Sequence, residues 1–146
     1  MKLTTKSRYG VRLLFELALH YKKGPLLLNE ISKRQKISHK YLSKIIIPLK
    51  SNNFVNSIRG MNGGYMLAES PDKIKLDKVV SALEGSLNLT DCLNKGYDCF
   101  SQETCPTRDL WYNLSTVIVD FLHSISLQDL IDDYNSKLNN ANMFYI

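Results

Sequence analysis

The chain has 146 residues and a mass of 16.7 kDa, enough for one ordinary domain or for a small domain with an appended dimerisation arm. Hydrophobic residues make up 44% and charged residues 23%, which excludes a disordered or collagen-like chain. The sequence has no run of 18 apolar residues, and its N-terminus lacks the apolar stretch of a secretory signal. We therefore expect a cytoplasmic protein with no membrane partner.

Charge is divided unevenly along the chain. Residues 1–60 hold 13 Lys and Arg against 2 Asp and Glu, a net charge of +11, whereas residues 61–146 hold 6 against 12, a net charge of −6. A solvated basic surface without a partner is one explanation. An asymmetry this large instead favours a basic, nucleic-acid-binding end joined to a second functional region.

Helical periodicity predicts a first helix over residues 4–21, with Arg12 and Glu16 off its apolar stripe. A short helix capped by Asn29 then runs to residue 35, and a longer one is capped by Ser38. Pro48 predicts a kink or an early end of that helix and partial exposure of Ile47.

Two helices separated by so few residues, the second with a cationic outer face, are typical of a helix-turn-helix. The first residues of such a recognition helix reach base edges, while lysines meet phosphates. Ser38 also has a capping role, and Tyr41 could equally be buried. The candidate DNA-binding residues here are Ser38, His39, Lys40, Tyr41, Ser43 and Lys44.

Residues 54–59 and 65–68 read as two strands joined by a glycine-rich turn. A basic hairpin directly after a helix-turn-helix is a wing. Arg59 and Gly60 are the candidate DNA contacts here, because an arginine beside glycine can enter a narrow minor groove. A short helix capped by Asp77 and ending at Glu84 is expected next.

All three cysteines, Cys92, Cys99 and Cys105, lie in a predicted loop over residues 86–106. An odd count argues against a disulfide framework, and the spacing is not that of a zinc ribbon. An iron–sulfur cluster held by thiolates suits this loop. A thiol switch, zinc and unrelated free cysteines remain alternatives, and a cluster would lack a fourth ligand.

From residue 107 a long helix is predicted, and Ser126 with Asp129 forms a capping box for a last helix. The apolar face of the long helix exceeds what a small winged helix can cover, which indicates a homodimer interface. Residues 139–146 are expected to fray.

The predicted fold is therefore mainly α with a small β wing: a winged helix-turn-helix followed by a long C-terminal dimerisation helix. We divide the chain into a DNA-binding domain (1–85), a cysteine cluster-binding loop (86–106) and a dimerisation region (107–146). The three histidines have no triad-like neighbours in the sequence, so we propose no catalytic residues. A small redox enzyme that uses a cluster for electron transfer is a rival, but it does not explain the net charge of +11 in residues 1–60, and we predict that the protein is not an enzyme.

The chain resembles the winged-helix iron–sulfur regulators, a family that includes the iron–sulfur cluster assembly repressor and the nitric-oxide-sensing repressor. The resemblance covers nearly the whole chain. It rests on residues 3–10 (LTTKSRYG), 37–42 (ISHKYL), 59–65 (RGMNGGY), the three cysteines, 110–111 (LW) and 122–127 (LHSISL).

This resemblance implies a homodimeric transcriptional repressor that binds double-stranded DNA at a palindromic operator. It also implies a cluster held by Cys92, Cys99 and Cys105 that senses redox state, nitric oxide or cluster supply. The cysteine spacing and the Arg8-Tyr9 start look more like those of the assembly repressor, and this resemblance favours 2Fe-2S over 4Fe-4S. A winged-helix regulator with a cluster-free thiol switch is the alternative.

The fourth ligand departs from the family pattern. Arg108 stands where assembly-repressor relatives have a histidine, and a guanidinium that stays cationic does not ligate iron. Arg8 occupies the region where nitric-oxide sensors carry an acidic ligand. The candidates left open are Asp91, Thr107, Asp109, the partner's first helix and an exogenous ligand. Ser43 replaces an acid of the assembly repressor, so operator preference is not transferred.

Overall fold

A computed structural model describes residues 3–144. The elements are α1 (Thr5–Leu19), α2 (Leu28–Gln35), α3 (His39–Ser51), β1 (Val55–Ile58), β2 (Gly64–Leu67), α4 (Leu76–Glu84), α5 (Arg108–Ser124) and α6 (Leu127–Met143), with single 3-10 turns at Pro71–Lys73 and Asp91–Leu93. This order confirms the predicted mainly helical fold with a two-stranded wing.

Helix α1 lies at the centre of the hydrophobic core. Leu13, Leu14 and Leu17 are completely or almost completely buried, and they belong to one cluster with buried side chains of α3, α4 and α6. Burying a leucine side chain stabilises the fold by roughly 1.5–3 kcal/mol. Packing on α1 therefore holds the DNA-binding and C-terminal parts of the chain together.

The turn between α2 and α3 is fixed by local hydrogen bonds. Lys36 adopts the left-handed conformation, with φ of 54°, and the Ser32 hydroxyl donates to the Ile37 carbonyl at 2.6 Å. Ser38 caps α3, its hydroxyl oxygen accepting from the Tyr41 amide at 3.2 Å, as the sequence predicts.

Two details of these helices differ from the prediction. Helix α2 begins at Leu28 rather than after Asn29, because the Glu30 carboxylate already accepts from the Leu27 amide, at 3.4 Å. Helix α3 continues through Pro48 to Ser51, and the Asn52 side chain donates to the Pro48 carbonyl at 2.8 Å. Ile47 is 62% exposed, as expected.

The wing strands pair antiparallel, from Val55 opposite Leu67 to Ile58 opposite Gly64. Leu26, in the segment before α2, adds an isolated bridge to Tyr65 through backbone hydrogen bonds of 2.8 and 2.9 Å. Strand β2 is therefore hydrogen-bonded, near its turn end, to the segment that leads into α2.

The predicted cap of α4 is wrong. The helix begins at Leu76, before Asp77, and the Leu76 amide donates to the Ile125 carbonyl at 2.9 Å. A backbone group from the segment between α5 and α6 thus takes the place of a side-chain cap. The Asp77 side chain is buried and lies 3.1 Å from His123 Nδ1 on α5.

The C-terminal helices follow the predicted pattern with one difference. Ser126 and Asp129 form the expected capping box at the start of α6. Helix α6 continues to Met143, which corrects the fraying expected from residue 139, while residues 145 and 146 lie outside the described residues. Among residues 3–144, the helices are too short or too polar to span a membrane.

Glu84, the last residue of α4, anchors the start of α1. One carboxylate oxygen accepts from the Thr4 amide at 2.9 Å, the Thr4 hydroxyl at 2.6 Å and the Ser7 hydroxyl at 2.5 Å. Burial raises the pKa of this carboxyl, but the hydrogen bonds from Ser7 and Thr4 outweigh burial. The pKa therefore lies below its ordinary value of 4.5.

We predict that Glu84→Gln lowers the free energy of unfolding at pH 7 by about 1 kcal/mol, because an amide accepts these bonds less strongly than a carboxylate does. A lowered folded pKa stabilises the protein above pH 4.5 and loses that effect as the pH falls through the folded value. Urea unfolding at pH 7 and at several lower pH values should show the gap between wild type and variant narrowing. The exposed Glu69→Gln is the control, and a gap that does not change with pH contradicts the assignment.

Candidate nucleic-acid interface and cysteine loop

The N-terminal part of α3 presents cations to solvent. His39, Lys40 and Lys44 are exposed, whereas Leu42, on the opposite face, is fully buried. Ser43 is half-buried, and its hydroxyl donates to the His39 carbonyl at 2.9 Å. The structure therefore leaves Lys40 and Lys44 exposed to meet a partner, while the exposed His39 has its Nδ1 3.5 Å from the Ser43 hydroxyl oxygen.

Ser38 and Tyr41 have structural partners. The Ser38 hydroxyl caps α3, and the Tyr41 ring lies edge-on to Tyr9 of α1 with centroids 5.7 Å apart. Both roles agree with the structural alternatives that the sequence offered for these residues.

The wing tip exposes Arg59 and Gly60 next to each other. Gly60 has φ of +111°, which side-chain-bearing residues rarely adopt. A Cβ at Gly63 would lie 2.2 Å from the Ile58 carbonyl oxygen, so the turn closes tightly only with glycine there. The hairpin geometry thus holds Arg59 at the outer end of the wing.

The charged residues between α2 and the end of the wing are all basic. Residues 31–68, which span most of α2, α3 and the wing, hold seven Lys and Arg and no Asp or Glu. Such a surface attracts a polyanion, and its attraction is screened by salt.

A polar network between α1 and α2, with the buried Glu16 at its centre, escaped the sequence reasoning. Glu16 is only 6% exposed, which corrects its predicted place off the buried face of α1. Its carboxylate accepts from the Gln35 side-chain amide and lies 3.4 Å from Arg34. The acid tolerates burial because α2 supplies these donors.

The three cysteines are free, half-buried thiols, and each lies near a hydroxyl group. The sulfurs of Cys92, Cys99 and Cys105 lie 3.2, 3.7 and 3.6 Å from the hydroxyl oxygens of Thr90, Ser101 and Thr107 in turn. Within residues 3–144, no group of three or more His, Cys, Asp or Glu side chains is placed to hold a metal ion. Joint ligation by these thiols therefore requires the loop to rearrange.

Cys105 lies next to the N-terminus of α5. Hydrogen bonds from the backbone and the hydroxyl of Thr107 lower the pKa of its thiol below 9.0, and the backbone and charge of Arg108 add to this effect. The thiolate is the form that binds metal and attacks electrophiles. The donor chemistry of the loop thus fits a thiolate-held iron–sulfur cluster.

Two contacts anchor the loop to α5. Arg108 donates from Nη1 to the Cys92 carbonyl at 3.1 Å, and the Leu89 amide donates to the buried Ser115 hydroxyl at 3.1 Å. Arg108 is therefore a clamp between the two ends of the cysteine segment. A change in the loop conformation would therefore alter hydrogen bonds that α5 itself makes.

Helix α5 leaves large apolar side chains exposed. Val117 and Phe121 are each 63% exposed. The same face borders an entirely apolar cavity of about 400 Å³ between α4, α5 and the N-terminus. Its lining residues are Leu3, Val80, Leu87, Val117, Ile118, Phe121 and Leu122.

The paired α2 and α3 helices, the antiparallel wing and the excess of basic side chains over residues 31–68 together define a winged helix-turn-helix DNA-binding regulator. The chain belongs to the Rrf2 family: the family model, described as an iron-dependent transcriptional regulator, matches residues 3–133. The resemblance seen in the sequence and the prediction of a regulator rather than an enzyme are thereby confirmed.

Known relatives agree with this assignment. The chain is 40% identical to the HTH-type transcriptional regulator IscR of Pectobacterium carotovorum over 133 residues, covering 91% of this chain and 80% of that protein. The solved structure of T. potens IscR has a TM-score of 0.75 at 36% identity, over 92% of this chain and 88% of that one. CymR, the global cysteine regulator of B. subtilis, has a TM-score of 0.73 at 32% identity, over 89% and 95%.

Proposed function

We propose that this regulator is a homodimeric repressor whose affinity for a palindromic operator is controlled by an iron–sulfur cluster at Cys92, Cys99 and Cys105. This proposal rests on the observation that the segment with all three thiols is hydrogen-bonded to α5, the helix that packs on α4 of the DNA-binding domain. Residues 1–85 would bind DNA, 86–106 the cluster, and 107–146 the second subunit.

DNA contact is assigned to α3 and the wing. In this proposal the exposed His39 and Lys40 reach base edges at the start of α3, and Lys44 meets phosphate. Arg59, beside Gly60, enters the minor groove. Ser38, Tyr41 and Ser43 make the intramolecular contacts described above and stay candidate DNA contacts at the start of α3.

The apolar face of α5 supports the homodimer. Exposed side chains such as Val117 and Phe121 on one helix, beside an apolar cavity, are typical of an interface. A two-fold axis through α5 would place two copies of α3 at successive half-sites, which is why a palindromic operator is expected.

The cofactor proposal rests on donor chemistry and on relatives. The family description includes iron dependence, and relatives are named IscR. Three thiolates supply three ligands, so a fourth must come from Asp91, Thr107, Asp109, the partner's first helix or an exogenous group. We favour 2Fe-2S over 4Fe-4S. When bound, the cluster supplies a redox-active inorganic centre.

Control of DNA binding follows from linkage. Ordering of residues 92–105 around a ligand would change the hydrogen bond from Arg108 to the Cys92 carbonyl. Because Arg108 is the first residue of α5, this change would shift the start of that helix. Helix α5 contacts α4 through His123 and Asp77, and α4 packs on α1 and α3. A coupling of ~1–3 kcal/mol, about 5- to 150-fold in operator affinity, would suffice for regulation.

A cluster-free thiol switch is the second candidate. The lowered pKa of Cys105 favours it, because a thiolate oxidises more readily than a thiol. One solved structure with a similar fold is described as the oxidised form of CymR from Staphylococcus aureus, with a TM-score of 0.71 at 28% identity.

For the wing, we predict that Arg59→Ala weakens operator binding by ~1–3 kcal/mol and leaves the fold intact, because it removes the minor-groove cation. Fluorescence anisotropy with an operator selected from random duplexes measures the loss, and circular dichroism checks the fold. Lys137→Ala changes net charge equally on α6, where Lys137 pairs with Asp133, and should bind like wild type. Equal affinity of Arg59→Ala and wild type removes Arg59 from the site.

For the cofactor, anaerobic purification should give a coloured protein with about two irons and two sulfides per subunit. Cys99→Ala should lose the visible absorbance, whereas Ser101→Ala, which alters only the hydroxyl near that sulfur, should keep it. A colourless wild-type protein without iron overturns the cluster proposal and leaves the thiol switch.

A further inference from the structure

Arg12 of α1 donates two hydrogen bonds to the C-terminal end of α2. Its Nε donates to the side-chain oxygen of Gln35 at 2.7 Å, and its Nη2 donates to the backbone carbonyl of the same residue at 2.7 Å. Gln35 is the last residue of α2. Carbonyls at a helix C-terminus lack intrahelical partners and carry partial negative charge, so a guanidinium is well suited to this position.

Gln35 lies where the chain turns towards the recognition helix, α3. Lys36, immediately after it, is left-handed, and Ser38 already caps α3. A change in the backbone angles of this turn would therefore change the direction of the whole of α3. A fork with two short hydrogen bonds restricts both the position and the rotation of the turn.

A second chain of contacts joins Arg12 to α3 itself. The guanidinium lies over the Tyr9 ring, 5.6 Å from its centroid, and Tyr9 packs edge-on against Tyr41 of α3. Arg12 thus contacts the end of α2 directly and the start of α3 through one aromatic ring.

The buried carboxylate of Glu16 completes the network. It accepts from the side-chain amide of Gln35, whose oxygen Arg12 holds, so the Gln35 side chain is fixed from both ends. Arg34 approaches the same carboxylate at 3.4 Å. A satisfied polar network of this kind constrains geometry more than it adds stability.

We propose that Arg12 is a positioning residue for DNA reading: it sets the orientation of α3 on α1 and does not itself bind phosphate. This inference rests on the proposed DNA contacts of α3 and adds to them a residue outside the helix-turn-helix. The alternative role is a direct phosphate contact. Arg12 is exposed, and its bonds to Gln35 use only Nε and Nη2, which leaves Nη1 for a phosphate oxygen.

Affinities for the operator and for non-specific duplex separate the two roles. For a positioning residue, Arg12→Ala should weaken operator binding about tenfold, as expected for loss of a charged hydrogen bond, and leave non-specific binding within about twofold. The slope of log K against log salt should not change. Loss of a phosphate contact would weaken both affinities and reduce that slope by roughly 0.9.

Matched variants complete the experiment. Lys44→Ala should show the phosphate pattern, and Arg12→Lys should not restore operator affinity, because an ammonium lacks the fork. In a Gln35→Ala background the effect of Arg12→Ala should shrink. Stoichiometric titration measures the active fraction of each variant. Correcting the affinities for this fraction distinguishes partial unfolding from weaker binding.

Unchanged operator affinity in Arg12→Ala, or a reduced salt slope, overturns the positioning role. Salt-insensitive or absent binding by the wild-type protein would instead overturn the proposed DNA-binding function, so the two failures are distinguishable.

Discussion

The arrangement depends on the packing of α4 between the DNA-binding helices and α5. Val79 and Leu83 of α4 are buried in the same core as α1 and α3, while the outer side of α4 meets α5. Each end of α4 has its own tie, Leu76 to the Ile125 carbonyl and Glu84 to the start of α1. Because the interior is close-packed, α5 cannot move relative to α3 without repacking α4.

Two buried carboxylates, Glu16 between α1 and α2 and Asp77 between α4 and α5, differ in how many of their oxygens have hydrogen-bond donors. Glu16 has donors from Gln35 and Arg34. Asp77 has His123 near one oxygen, while its Oδ1 has no hydrogen-bond partner among residues 3–144. Buried ionic contacts are weak support for stability, so the apolar contacts of α4 supply most of it. The polar contacts instead favour one relative placement of the helices.

The sequence was sufficient for features that depend on local pattern. Helical periodicity and the Ser38 cap located the helix-turn-helix, and the glycines around Met61 located the wing. Ser126 and Asp129 marked the start of α6. Each of these signals lies within a few residues of the structure it predicts, and no distant partner is needed to complete it.

Features that depend on distant partners were missed or misread. Asp77 looked like a cap, because the Ile125 carbonyl that starts α4 comes from almost fifty residues further along the chain. Glu16 looked solvent-facing, because its donors belong to α2. The thiols were found from their clustering, but their relative positions depend on the conformation of an irregular loop, which periodicity does not describe.

The proposed regulation requires that cluster occupancy of the cysteine loop and operator affinity are thermodynamically linked. The most direct measurement compares operator dissociation constants for one anaerobic preparation before and after its cluster is removed by chelation. Linkage predicts constants that differ by about 5- to 150-fold, with the difference abolished in Cys99→Ala. Equal dissociation constants for the fully loaded protein and the stripped protein would show that the cluster does not control operator binding.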